Sequence, residues 1–208
     1  MSIGNGENRV RRVLDVAVAL AVLMVGAPVL GAVAFAVRIR MGSPVLFRQE
    51  RLGLGGRPFR LVKFRTMRHP APGREGPEFD AERLTALGRF LRATSLDELP
   101  EMVNLLRGDL TLVGPRPLPT AYWPRYRGHE YERFEVKPGI TGLAQVSGRN
   151  AVGWDERLAL DVQYVRTRTL RGDLRILART VKVVLRRDGV DQTGGVTMHA
   201  LPPDRPHA

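Results

Sequence analysis

The chain has 208 residues, 43% of them hydrophobic, enough for one domain with a real core plus an anchoring segment. Cysteine is absent, which excludes a disulfide framework and a thiolate metal site. Lys and Arg number 33 against 21 Asp and Glu, and the formal charge of +12 suits a phosphorylated substrate, an anionic bilayer or nucleic acid. Nucleic acid is set aside as a partner, because the 6% aromatic residues do not alternate with arginine and no nucleic-acid motif is present.

Residues 1–12 read as a short cytoplasmic segment containing Arg9, Arg11 and Arg12. The 22 residues from Val16 to Val37 then carry no charge. At ~1.5 Å per residue they span roughly 33 Å as a straight helix, enough to cross a bilayer. A cleaved signal peptide would be shorter and end at a small-residue site. A spanning helix is the ordinary alternative. Pro28 favours a third reading, because it lacks an N–H, clashes with the carbonyl of Met24 and is flanked by Gly26 and Gly31. Arginines also lie on both sides, with Arg38, Arg40, Arg48 and Arg51 following the segment, so the positive-inside rule gives a crossing helix no orientation. Residues 13–40 are therefore read as a re-entrant helix–break–helix with Pro28 at the membrane break and both ends on one face. Asp15 would sit at headgroup depth.

Residues 41–190 read as one α+β domain, small and mainly helical, with a short β-hairpin and interfacial amphipathic helices. The hairpin strands are Pro44 to Gln49 and Phe59 to Phe64, joined by Gly53, Gly55 and Gly56. Alternation would put Lys63 and Arg65 on one strand face, an exposed basic face on the plainest reading. A Pro- and Gly-rich loop from His69 to Pro77 leads to a helix opened by Asp80, with Leu84, Leu87, Phe90 and Leu91 at helical spacing.

Ser95, Asp97 and Glu98 come next. Ser95 and Glu98 have capping-box spacing, while Pro100 argues for a later start with Asp97 as N-cap. Either way the carboxylates occupy the first turn of a helix running through Leu106, where free N–H groups favour anions. Arg92 lies upstream, and Arg116 follows an apolar strand from Leu110 to Val113. Capping alone would explain an isolated Ser-x-Asp-Glu. Two carboxylates with cations around them also suit phosphoryl chemistry with a metal ion.

Trp123 to Phe134 reads as a helix. Gly139, Gly142 and Gly148 bracket Thr141, Gln145 and Arg149, a loop able to bring N–H groups and a guanidinium to a phosphate. Asp155 to Arg168 is a helix. Asp173 caps the next, which has Leu174, Leu177, Val181 and Val184 on one side and Arg175, Arg179 and Lys182 on the other, as an interfacial helix would. Residues 191–208 read as a flexible tail, with His199 and His207 incidental.

SLDELP, NLLRGDLTLVGPRP and PGITGLAQVSGRN, in this order with KFRTM before them, resemble the bacterial sugar transferase family, the monotopic polyprenyl-phosphate phosphoglycosyl transferases. The resemblance covers about Val13 to Val190. It implies transfer of a sugar 1-phosphate from a nucleoside diphosphate sugar, a UDP-sugar in the first place, to polyprenyl (undecaprenyl) phosphate at the cytoplasmic face of the bacterial inner membrane, initiating glycan or exopolysaccharide assembly. It implies Mg²⁺ as cofactor held by Asp97 and Glu98, Asp97 as covalent nucleophile, Glu98 alternatively as an aid to the incoming lipid phosphate, and Lys63, Arg92, Arg116 and Arg149 as phosphate or substrate contacts. It also agrees with a re-entrant helix, although Ala27 stands where a serine commonly precedes the proline. Two other classes compete: a membrane-tethered basic module binding anionic lipid or nucleic acid, and a metal-dependent phosphate-ester hydrolase. The sugar, the base, the glycan pathway and the oligomeric state are not written in the sequence.

Overall fold

The computed structural model describes residues 5–74, 76–147, 153–186 and 200–203. Helix α1, Asn5–Val25, starts well before the uncharged segment and takes in Arg9, Arg11 and Arg12. Helix α2, Ala27–Met41, follows after a break at Gly26, and the two are bent by 65°. The bend is two residues earlier than the sequence suggests. Pro28 sits in the first turn of α2, where its missing N–H is an unpaired donor in any helix. The distortion moves to Gly26, where a Cβ would lie 2.4 Å from the carbonyl oxygen of Val22. No single described helix is long and apolar enough to cross a membrane; the bent pair passes that test together.

The N-terminal half of α1 is bolted to the rest of the chain. Ala19 is fully buried with Leu61, Met102, Leu105 and Leu110. Arg12 donates to the carbonyls of Leu105 and Leu106 at 2.6 Å each, satisfying the end of α5, Met102–Arg107. Arg11 Nε donates to Asp173 Oδ2 at 2.7 Å. Asp15 is buried, and accepts from the Leu112 N–H at 2.8 Å and Thr111 Oγ1 at 3.1 Å. Beyond the bend, Val33 and Val37 of α2 pack on Phe64 and Leu91.

The expected hairpin is present. Strands β1, Leu46–Leu52, and β2, Pro58–Phe64, pair antiparallel with Phe47 opposite Lys63. Lys63 and Arg65 do not share an exposed face. Arg65 lies just past β2 and is buried, donating to the carbonyls of Met41, Gly42 and Ser43 at the end of α2, with His69 Nε2 2.6 Å from its Nη1. The helix expected from Asp80 is two pieces, α3, Asp80–Arg83, and α4, Ala86–Ala93. Thr85 starts the second, its hydroxyl accepting from the Gly88 N–H at 2.9 Å.

A second sheet is absent from the sequence reading. β3, Thr111–Val113, pairs in parallel with β4, Gly139–Thr141. Gly114 permits the approach, since a Cβ there would meet the Lys137 carbonyl oxygen at 2.5 Å. Trp123 to Phe134 is two 3-10 segments, Thr120–Arg125 and Gly128–Phe134, rather than one helix. Helices α6, Leu143–Val146, α7, Trp154–Thr167, and α8, Leu170–Arg186, complete the domain. Asp173 is not the cap of α8; it is buried in the first turn, while the Thr169 hydroxyl accepts from the Gly172 N–H. Of the segment expected as a flexible tail, residues 191–199 and 204–208 lie outside the described residues, and residues 200–203 pack on the domain. Leu201 is fully buried among Leu52, Leu118, Tyr126, Phe134 and Leu158, and its carbonyl accepts from Arg125 at 2.5 Å.

Candidate active site

The stretch from Leu96 to Glu101 is a 3-10 helix, not the first turn of an α-helix. Ser95 precedes it in the left-handed region, φ 56°, with no side-chain cap, so neither the Ser95–Glu98 capping box nor an Asp97 N-cap forms. Pro100 explains this: inside an α-helix its ring would collide with the carbonyl four residues back, and a short 3-10 turn avoids that. The turn also has three residues per revolution, so positions three apart eclipse. Glu98 and Glu101 therefore project along one edge, and both reach the same ammonium: Lys63 Nζ lies 2.7 Å from Glu98 Oε1 and 3.0 Å from Glu101 Oε1.

Lys63 arrives on β2, and the hairpin is fixed against α5 by Asn104. This fully buried amide accepts from the Val62 N–H at 3.1 Å and donates to the Arg60 carbonyl at 2.7 Å and to Asp109 at 3.0 Å. Arg116 leaves β3 between two prolines and places Nη2 3.2 Å from Glu98 Oε1. Arg92, in the last turn of α4, donates through Nε to Thr66 Oγ1 at 3.1 Å. Lys63, Arg116 and Glu98 thus meet directly, with Asp97 and Arg92 in the same field. Arg149 lies outside the described residues. Of its loop companions, Thr141 pairs with Thr180 and Gln145 donates to the Ile140 carbonyl.

Charges around the turn divide the three carboxyls. Burial pushes Glu98 up, but Lys63 and Arg116 outweigh it and hold the group down at about 2. Burial raises Asp97, and so does the Glu98 charge, against the pull of Lys63, Arg92 and Arg116. Asp97 is buried and makes no ion pair of its own among the described residues. Burial drives Glu101 to about 7 despite Lys63, with repulsion from Glu98 adding to it. Anion stabilisation at this turn comes from side-chain cations rather than from a helix terminus.

Two participants were not singled out from the sequence. Glu101 has a signal in hindsight, namely its three-residue spacing from Glu98 across Pro100. Arg51 on β1 lines a small polar cavity with Lys63, Glu101 and Arg116. Burial, and then repulsion from Arg116, lower its guanidinium to about 10, and Nη2 donates to Gln49 Oε1 at 2.6 Å.

Among the described residues no group of three His, Cys, Asp or Glu side chains converges as a metal centre. Mg²⁺ does not require one, since it commonly takes one or two carboxylates together with water and phosphate oxygens. Asp97, without an ion pair among the described residues, fits such a role, and Glu98 lies next to it with Lys63 and Arg116 both on its Oε1.

The sequence profile described as Bacterial sugar transferase matches residues 6–187. An uncharacterized sugar transferase, EpsL, of Bacillus subtilis (strain 168) is 46% identical over 187 residues, 90% of this chain and 93% of its own. A UDP-glucose:undecaprenyl-phosphate glucose-1-phosphate transferase of Caulobacter vibrioides is 43% identical over 189 residues, 86% of this chain and 70% of its own. One of the same name from Escherichia coli (strain K12) is 37% identical over 190 residues, 85% of this chain and 40% of its own.

Proposed function

This chain belongs to the bacterial sugar transferase family, and we propose that it transfers a sugar 1-phosphate from a UDP-sugar to undecaprenyl phosphate through a covalent aspartyl intermediate. In the first step an Asp97 carboxylate oxygen attacks the phosphorus that bears the sugar. The bond from that phosphorus to the bridging oxygen breaks, and uridine monophosphate leaves with the electron pair. In the second step an oxygen of undecaprenyl phosphate attacks the same phosphorus and Asp97 departs as carboxylate, giving undecaprenyl diphosphate sugar.

The observation that carries this reading is the division of labour at the 3-10 turn: Glu98 is held by two cations, while the adjacent Asp97 makes no ion pair among the described residues. A carboxylate with no ion pair among the described residues has an oxygen available to a phosphorus centre, and burial raises its pKa and with it its basicity. Lys63, Arg92 and Arg116 neutralise the diphosphate and lower its repulsion of the nucleophile. Bound Mg²⁺, held by Asp97 and Glu98, would supply further charge neutralisation. The bent pair α1 and α2 would enter the cytoplasmic leaflet of the inner membrane and return, placing the site where a lipid-linked acceptor can reach it.

The full chain in membranes, given a panel of nucleotide sugars with undecaprenyl phosphate, tests the reading by release of nucleoside monophosphate. Continued release should require the acceptor, with at most one equivalent per enzyme formed without it, and Asp97→Asn, nearly isosteric, should lose turnover by several orders of magnitude with the fold intact. Near-normal rates in Asp97→Asn would remove the nucleophile assignment. Free sugar phosphate formed without acceptor would mark a hydrolase, and salt-sensitive binding without turnover a tethered basic module.

A further inference from the structure

A second cavity, of about 160 Å³, lies away from the carboxylate turn, between the start of α1, strand β3 and the start of α8. Its hydrocarbon wall includes Val10, Leu14, Leu112, Leu170, Leu174 and Leu177. The charged groups at its margin are turned on one another. Asp15 accepts from Thr111 and Leu112, and Asp173 accepts from Arg11 and from the Tyr164 hydroxyl at 2.9 Å. Arg11, whose Nη1 is buried without a hydrogen-bond partner, also lines the cavity, but most of the surface facing it is apolar, and a predominantly apolar cavity of this size takes hydrocarbon in preference to water.

Its mouth continues outward as a lane. On α1, Val10, Leu14 and Val18 are 46%, 42% and 36% exposed at four-residue spacing, and Val25 at the bend is 82% exposed. They form one stripe leading from the cavity to the break between the two apolar helices. On α8, Leu174 and Val181 are 60% and 59% exposed, with Arg171, Arg175 and Lys182 exposed beside them. An apolar lane ending in a cavity and edged by cations is complementary to a hydrocarbon chain with an anionic head.

We propose that this cavity is a binding site for one acyl chain of an anionic bilayer phospholipid, whose first methylenes fill the space between α1, β3 and α8 and whose remainder runs out along the α1 stripe toward the break. The head group lies by Arg171 and Arg175. The bound chain is thereby a non-substrate lipid that fastens α8 to the membrane helix. The proposal rests on the membrane placement given above for the bent pair, but not on the transfer reaction.

The test uses the full chain in nanodiscs containing phosphatidylglycerol that carries a photoactivatable diazirine on one acyl chain close to its ester carbonyl. After irradiation, crosslinked peptides are mapped by mass spectrometry. Crosslinks are expected at residues 10–15 and 170–177 as well as in the apolar helices. Leu14→Trp and Leu177→Trp, each filling the cavity from a different wall, should reduce the first set by about tenfold, as expected when roughly two methylenes lose their burial. Crosslinks within 16–41 should persist in both variants, as should turnover. Crosslinks confined to 16–41 in the wild type would overturn the cavity site while leaving the membrane placement standing. Loss of the cavity crosslinks on adding equimolar undecaprenyl phosphate would also overturn it, by making the acceptor chain the occupant. Absence of crosslinks in both regions would remove the membrane placement itself, and the site with it.

Discussion

Glu101 offers a test of the charge balance at the 3-10 turn. Its side chain is buried, and its folded-state value of about 7 lies above the ordinary 4.5. For a raised carboxyl, the protonated form is the one the fold prefers. The contribution to stability is therefore fully present below pH 4.5 and is lost as the pH rises through about 7. The difference between the two values is about 2.5 units, and at ~1.4 kcal/mol per unit the loss is on the order of 3 kcal/mol. Glu98 does not interfere in this window, because its depressed group loses stability only below pH 4.5, as the pH falls toward about 2. Glu101→Gln keeps the shape and the acceptor oxygen for Lys63 and removes the titration. Urea unfolding of the solubilised protein at pH 4.5 and at pH 7.5 should give nearly equal stabilities for wild type and variant at the lower pH. At the higher pH the variant should be more stable by on the order of 3 kcal/mol. Parallel pH dependences for the two proteins would refute the account.

Arg116→Lys should lower turnover by more than about tenfold, because lysine keeps the charge and loses the planar two-nitrogen geometry toward phosphate; equal rates would make Arg116 merely electrostatic. Leu201→Ala should destabilise by about 3 kcal/mol, as for other fully buried leucines, and an unchanged thermal midpoint would show that residues 200–203 are dispensable to the core. Single cysteines at Ser2 and Ser43 should both escape impermeant thiol reagents in intact cells and both react after permeabilisation, whereas labelling of Ser2 alone would show that α1 and α2 cross the bilayer.

Patterns with a local cause were legible in the sequence. The hairpin followed from alternation around three glycines, the bend from Pro28 with its neighbouring glycines, and α7 and α8 from helical spacing. Glu98, Lys63 and Arg116 were named from motifs and meet in space. What escaped depended on contacts between distant parts of the chain. Strand β4 is three residues in a glycine-rich run, and only its pairing with β3 makes it a strand. Leu201 is one leucine beside prolines, and nothing nearby in sequence indicates that it fills a core. The carboxylate turn was misplaced by one structural choice, an α-helical first turn in place of a 3-10 helix, and that choice concealed Glu101.

The contact between Arg11 and Asp173 joins positions 162 residues apart. A ribosome adds about 5–20 residues per second, so the first helix waits roughly 10–30 s between its own emergence and the synthesis of the partner that locks it. During that interval the uncharged run from Val16 to Val37 has no domain to fold against. The nascent chain must therefore be delivered to the bilayer early or be shielded by a chaperone. On the proposed membrane placement, the catalytic core then assembles onto a helix already in the bilayer, which would make targeting the first step of folding and the Arg11–Asp173 pair one of the last to close.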